Sequence, residues 1–179
     1  MKKTYLFVLL LFSSITTSAQ DTRVKVGQDE VKQSVAKSTE QIHLLLDNWH
    51  RAAAKPNFND YFNAIADDGV FIGTDATENW NKKGFQAFAK PYFDKGKAWS
   101  FTPLERHIFF SKDGKTAWFD ELLDTQMKIC RGSGVLEKIK GDWKIKHYVL
   151  SMTIPNDNSD AVIKIKTPIE DALIDKLNK

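Results

Sequence analysis

Glu121, Arg131 and His147 fall on three successive segments in which polar and apolar residues alternate, and their side chain types could carry chemistry. An arginine can grip a carboxylate through two N–H groups at once. A histidine changes charge near neutral pH, which suits a general acid or base. Glu121, or Asp120 beside it, could neutralise the arginine or serve as a base itself. Each residue also has a plain structural reading. Glu121 with Arg131 reads as an ion pair fixing two strands, and His147 as a hydrogen-bonded core histidine. Asp75 and Glu78, in a polar stretch after a short strand, serve turn hydrogen bonds as well as ligand contact.

Other chemistries are missing from the sequence. His43 and His50 stand seven residues apart on what reads as the polar side of a helix, whereas zinc helices place histidines four apart. There is no Gly-rich phosphate loop, nucleophile elbow or cysteine-based metal motif, so neither cofactor nor metal is expected. Cys130 is the one cysteine. It allows no disulfide within the chain and reads as a small buried hydrophobe.

The elements that must hold these residues follow from periodicity. A capping box at Ser38 and Gln41 opens a helix whose stripe is Ile42, Leu45, Leu46 and Trp49, running to about Ala54. After Pro56 a second helix carries Phe58, Tyr61, Phe62 and Ile65 and stops at Asp67-Asp68-Gly69. Val70-Phe71-Ile72 is a short strand. A third helix begins near Asn81 with Phe85, Phe88, Ala89 and Tyr92 on one face and Pro91 to end or kink it. The period then changes to two. Trp99–Ser111, Thr116–Thr125, Lys128–Ile139 and Trp143–Ile154 read as four strands of an antiparallel meander, with Asp113-Gly114 and Lys140-Gly141-Asp142 at hairpin turns. Helices first and strands afterwards indicate an α+β domain with helices on one face of a sheet. After a polar break at Asn156 to Asp160, Thr167, Pro168 and Glu170 open a short terminal helix.

Alternation then assigns faces. In the last strand Lys144 and Lys146 point their set, which includes Tyr148, outward, and that sends Trp143, Ile145 and His147 toward the helices. Arg131 and Ser133 can share that inner face. The choice between Asp120 and Glu121 stays open. The aromatic residues read mostly as core, with some available to line an apolar cavity.

Residues 1–19 carry a lysine pair at positions 2 and 3, an apolar run from Tyr5 to Phe12 and the small residues Thr17-Ser18-Ala19, the pattern of a cleaved signal peptide. The apolar run is too short to span a bilayer. Export to the periplasm or medium is therefore expected, without stable membrane insertion. The 26 Lys and Arg against 23 Asp and Glu become 24 against 23 after cleavage, which leaves no basic footprint for nucleic acid. Residues 20–37 read as a polar linker, 38–156 as one domain and 157–179 as a tail.

Gly73-Thr74-Asp75-Ala76-Thr77-Glu78, Ala117-Trp118-Phe119-Asp120-Glu121, Arg131-Gly132-Ser133-Gly134-Val135-Leu136 and Trp143-Lys144-Ile145 together resemble the SnoaL-like branch of the nuclear transport factor 2-like superfamily, over roughly Thr39 to Asn156. The resemblance implies a cone of strongly bent sheet closed by three N-terminal helices, commonly dimeric through the outer face of the sheet. It also implies a pocket, and so a small-molecule ligand, with Asp75, Trp80, Arg106, Glu121, Arg131 and His147 at its mouth or inside it. Members of that superfamily include isomerases, dehydratases and hydrolases as well as proteins that only bind or associate. Three functions are thus open: a ligand binder, a proton-transfer enzyme using His147 or Glu121, and an interaction module.

Overall fold

The computed structural model describes residues 17–179 other than Lys97, with side chains from Asp29 onward. The first sixteen residues of the expected signal segment lie outside the described residues. The chain divides into two compact units, residues 1–40 and 41–179.

Helix α1 spans Thr17–Ala54. It starts well before Ser38, and residues 20–37 are helical where the sequence suggested a linker. The reason is local: from Gln28 to Lys37 no glycine or proline interrupts a run of Glu, Lys, Gln, Ala and Val. The expected cap is not formed, since Ser38 is an interior helical residue and the neighbouring Thr39 hydroxyl donates to the Val35 carbonyl at 2.9 Å.

In the second unit, α2 (Phe58–Asn63) is capped by Asn57, whose side chain accepts from the Asp60 N–H. Strand β1 (Ile65–Ile72) follows at once, so Ile65 begins the sheet instead of extending the helix. Then come β2 (Asn79–Asn81) and α3 (Lys82–Asp94), which Asn81 caps through the Gly84 N–H at 2.8 Å. Pro91 stands in the last turn of α3, and the helix closes three residues later. Strands β3 (Phe101–Phe110), β4 (Thr116–Thr125), β5 (Lys128–Ile139) and β6 (Asp142–Met152) form the expected antiparallel meander. Lys140 and Gly141 both take positive φ, 53° and 99°, the backbone of a tight two-residue hairpin turn. The sheet order is β2-β1-β6-β5-β4-β3. β1 lies parallel to β6, which makes the sheet mixed where the sequence reading had it antiparallel throughout. A turn of 3-10 helix, Asn156–Asn158, leads into α4 (Ser159–Leu177), which begins eight residues before the Thr167 start that its capping residues suggested. No described helix is long and apolar enough to cross a membrane.

The core lies between the helices and the inner face of the sheet. Ile42, Leu46, Trp49 and Ala53 of α1 meet Tyr61 and Phe62 of α2, Phe85 and Phe93 of α3, and the inward residues Phe71, Phe119, Leu123, Leu136 and Ile145. Aromatic rings fill much of this space. Trp49 stacks on Tyr61 at 5.1 Å and meets Tyr148 edge-on at 4.7 Å, and Phe71 stacks on Phe85 at 3.9 Å.

Two bulges set which side chains reach the inside. In β3 the pairing slips between Pro103 and Glu105, leaving Leu104 as an extra residue. In β6 it slips between Ile145 and His147, leaving Lys146 as the extra residue. Each slip reverses the facing of everything beyond it. Arg106 consequently turns inward on β3, and Tyr148 takes the inward place on β6.

Candidate functional site

Glu121 is the most enclosed charged residue of the sheet, 1% exposed, in a β4 set that also turns Ala117, Phe119 and Leu123 inward. The question left between Asp120 and Glu121 is answered by this pattern: Glu121 faces the helices and Asp120 faces away. A carboxylate in that position needs partners, and three elements supply them. From α1, His50 places Nε2 2.8 Å from Oε1. From β6, the Tyr148 hydroxyl donates to the same oxygen at 3.1 Å. From β3, Arg106 Nε donates to Oε2 at 2.9 Å. Arg106 Nη2 also lies 2.8 Å from Oε2, but off the line of its N–H bonds, so that second contact is ionic without being a formed hydrogen bond. Arg106 Nη1 reaches back to α1, donating to Asp47 Oδ1 at 2.8 Å and lying 3.3 Å from His43 Nδ1.

Burial alone would push the Glu121 carboxyl upward. The hydrogen bond from His50 and the charges of His50 and Arg106 outweigh it, and the net position is below the ordinary carboxylate range. Tyr148 is driven well above the usual phenol range, first by burial and then by the neighbouring Glu121 charge, so it stays protonated and remains a donor. Gly132 of β5 makes room for this arrangement. A Cβ there would meet the Tyr148 hydroxyl and, at 3.0 Å, the Glu121 side chain.

Of the six residues expected at the site, the structure joins Arg106 and Glu121. The others stand elsewhere. Arg131 is exposed on the outer face of the sheet, because Cys130, Gly132, Gly134 and Leu136 take the inward positions of β5. The glycines cause this: the space over them holds the Tyr148 hydroxyl and, at 2.7 Å from where a Gly134 Cβ would stand, the Phe119 ring. His147 is half-buried on that same outer face, opposite Val135, because the Lys146 bulge reverses the alternation that Trp143 and Ile145 establish. No carboxylate reaches Arg131 beneath the helices, and the expected Glu121–Arg131 pair is replaced by Glu121–Arg106. Asp75 is exposed in its turn, where its Oδ1 accepts from the Thr77 N–H at 2.8 Å and the Thr77 hydroxyl at 2.6 Å. These Thr77 bonds hold its carboxyl below the usual range and account for its presence. Trp80 is half-buried and stacks on Phe85 and Phe88.

Two members of the Glu121 cluster were missing from the sequence reading. His50 was assigned to the polar side of α1 and is 2% exposed. It stands four residues after Leu46 and three before Ala53, and that spacing carried the signal for the buried face. Tyr148 was assigned outward, and nothing in the strand's own alternation announces the bulge that turns it in.

Two hollows flank the cluster. An aromatic cleft of about 220 Å³ is walled by Phe71, Trp80, Phe85, Phe88, Tyr92, Trp99, Phe101, Met127 and Leu150, with Gly73, Thr74, Glu78 and Gln126 contributing its other surfaces. A second hollow of about 400 Å³ is lined by Asp47, His50, Arg51, Ala54, Ser100, Phe101, Thr102 and Pro103. Phe101 belongs to both and meets the His50 ring edge-on at 5.8 Å. Among the described residues no group of three or more His, Cys, Asp or Glu is placed to hold a metal ion.

The fold has many solved counterparts. A nuclear transport factor 2-like protein of unknown function from Pseudomonas putida KT2440 is similar over 69% of this chain and 92% of its own, at 15% identity and a TM-score of 0.58. A candidate scytalone dehydratase from Novosphingobium aromaticivorans covers 69% and 89%, at 10% identity and a TM-score of 0.59. A candidate dehydratase of the same superfamily from Streptomyces avermitilis covers 67% and 99%, at 14% identity and a TM-score of 0.56. At such identities the likeness establishes the fold alone. No curated protein matches the sequence. Residues 42–155, however, match the profile of the SnoaL-like domain, and this span holds the end of α1, α2, α3, the six-stranded sheet and every residue of the Glu121 cluster; the chain belongs to the SnoaL-like domain family.

Proposed function

We propose that this chain is an exported protein that binds a small, largely apolar molecule in the aromatic cleft, with the Glu121 cluster holding the helix and sheet that frame it. The observation that carries the reading is the cleft itself. Aromatic rings form most of its wall, polar groups are few, and such a surface suits a flat apolar ligand oriented by one or two hydrogen bonds. Trp99, one of the walls, adds a further flat ring face to that surface. Its volume favours a compact molecule over a steroid-sized one. Export rests on Lys2, Lys3, the apolar run and Thr17-Ser18-Ala19. The test is a thermal-shift and tryptophan-fluorescence screen against small aromatic and terpenoid compounds. A hit should raise the melting temperature and alter Trp80 and Trp99 emission, and Trp80→Ala should abolish both responses. A library without any hit, or a hit indifferent to Trp80→Ala, removes the reading.

A second reading, proton-transfer catalysis, is favoured by one observation: His50 lines the 400 Å³ hollow while Glu121 holds its Nε2. A carboxylate that fixes the orientation of an imidazole prepares the other ring nitrogen for acid or base work. In this reading Glu121 orients and His50 reacts, because a carboxyl held below its ordinary range by His50 and Arg106 is a weak base. Turnover of a screened substrate by His50→Gln at the wild-type rate would eliminate it.

A further inference from the structure

The aromatic cleft holds one charged side chain, and it is an acid. Glu78 stands among its walls, whereas among the described residues no lysine, arginine or histidine does. The hollow that shares Phe101 with it differs in this respect, since Arg51 and His50 line it. A cleft of one sign disfavours ligands of the same sign, so carboxylates and phosphates are poor candidates and a positive charge is the complement.

The turn between β1 and β2 brings Glu78 to this place. The Gly73 N–H donates to the Glu78 carbonyl at 3.0 Å, and the side chain folds back over Gly73. A Cβ at Gly73 would collide with Oε2 and stand 2.9 Å from the carboxyl carbon. Gly73 is not among the glycines with positive φ, so what the carboxylate uses is the room it leaves. Turn hydrogen bonding occupies only part of the group. Oε2 accepts from the Asp75 N–H at 3.2 Å, and Oε1 has no partner among the described residues.

The rings of the cleft also stand without a cation. Elsewhere the protein lays Lys90 over the Phe58 ring at 5.7 Å and Lys138 over the Trp143 ring at 5.6 Å. Among the described residues no lysine or arginine is so placed over Trp80, Phe88, Tyr92 or Trp99. Phe88 and Tyr92, 38% and 47% exposed, keep ring surface open to an incoming molecule. Aromatic faces beside a carboxylate attract an ammonium group, and alkyl groups on that nitrogen suit it to apolar walls.

We propose that the ligand of the aromatic cleft is a compact organic cation, an alkylated ammonium group on an apolar body, held by the rings and by Glu78. This names the class of molecule for the cleft reading above and rests on it. A neutral ligand would fill the same walls and leave the carboxylate without a counterpart.

Three probes of similar shape and different charge separate the two readings: phenyltrimethylammonium, its uncharged carbon counterpart tert-butylbenzene, and benzenesulfonate. Each is titrated into the full chain and followed by tryptophan fluorescence and thermal shift. The cation should bind at least about tenfold more tightly than tert-butylbenzene, and benzenesulfonate should not bind. Glu78→Gln should remove most of that preference and leave the affinity for tert-butylbenzene unchanged, while Trp80→Ala should weaken both. Equal or tighter binding of tert-butylbenzene, still sensitive to Trp80→Ala, overturns the cation and leaves the cleft reading standing. A preference for the cation that survives Glu78→Gln intact also overturns the proposal. If no probe binds while neutral compounds of the wider screen do, the cation is again overturned. If nothing binds at all, or Trp80→Ala changes nothing, the cleft reading falls and this inference falls with it.

Discussion

Arg106 with Glu121 and His107 with Asp120 are neighbouring cross-strand pairs of β3 and β4, one step apart in register and facing opposite ways. Their contact distances are nearly equal, 2.9 Å inside and 3.0 Å outside. Their surroundings differ: the inner side chains are 4% and 0% exposed, and the outer ones 52% and 47%. At equal separation two unit charges interact about four times more strongly at an effective dielectric of ~20 than in water. The buried pair must also satisfy its remaining hydrogen-bonding capacity, which explains why His50, Tyr148 and Asp47 converge on it while the outer pair makes do with Glu105 and solvent. Geometry alone therefore says little about what an ion pair does for a protein, and enclosure decides how costly it is to break.

The sharpest way to break this comparison is Glu121→Gln. It leaves the enclosed Arg106 guanidinium with only the half-exposed Asp47 carboxylate, and a loss toward the lower end of about 3–5 kcal/mol in urea unfolding is expected. A loss below about 1 kcal/mol would put the inner pair on the same footing as the outer one. Acid should reproduce part of this effect. The Glu121 carboxyl sits below its ordinary range in the folded protein, so its stabilisation is complete above the unfolded-state value, near 4.5, and fades as pH falls through the lower native value. Urea midpoints followed from pH 7 downward should fall in the wild type beyond the fall seen in Glu121→Gln. Gly132→Ala comes next. Its methyl group would displace the Tyr148 hydroxyl from Glu121, for about 1–3 kcal/mol by the usual cost of overpacking. An unchanged urea midpoint would show that the inner face has slack. The smallest effect is on the outside. The hydrogen bond to Asp120 raises the His107 value above the ordinary histidine range, against an opposing push from burial. Any stability it lends is thus present below pH 6.5 and lost as pH rises through that higher native value. Exposure makes that contribution small, and His107→Ala should leave the urea midpoint at pH 5.5 unchanged.

Much of the fold was legible because its elements obey simple periods. The Thr116–Thr125 and Lys128–Ile139 strands, the Lys140-Gly141 turn and the Asn81 start of α3 follow from alternation and turn or capping chemistry. The site was legible only in part. Glu121 and Arg106 were among the expected residues, but Arg131 and His147 were placed inside by counting in twos along β5 and β6. On β5 the count was misread because Gly132 and Gly134 carry no side chain to mark the inner face, whose space belongs to Tyr148 and Phe119. On β6 the count failed because Lys146 is extra, a fact that appears only when β6 is paired with its neighbours. His50 was within reach of sequence reasoning, since it keeps the helical spacing of the residues around it.

Phe101 belongs to two hollows at once. The cleft bounded by Trp80 and the hollow bounded by His50 share that phenyl group as a common wall. Trimming it to alanine would enlarge both hollows at the one side chain they share, next to an imidazole already held by its carboxylate.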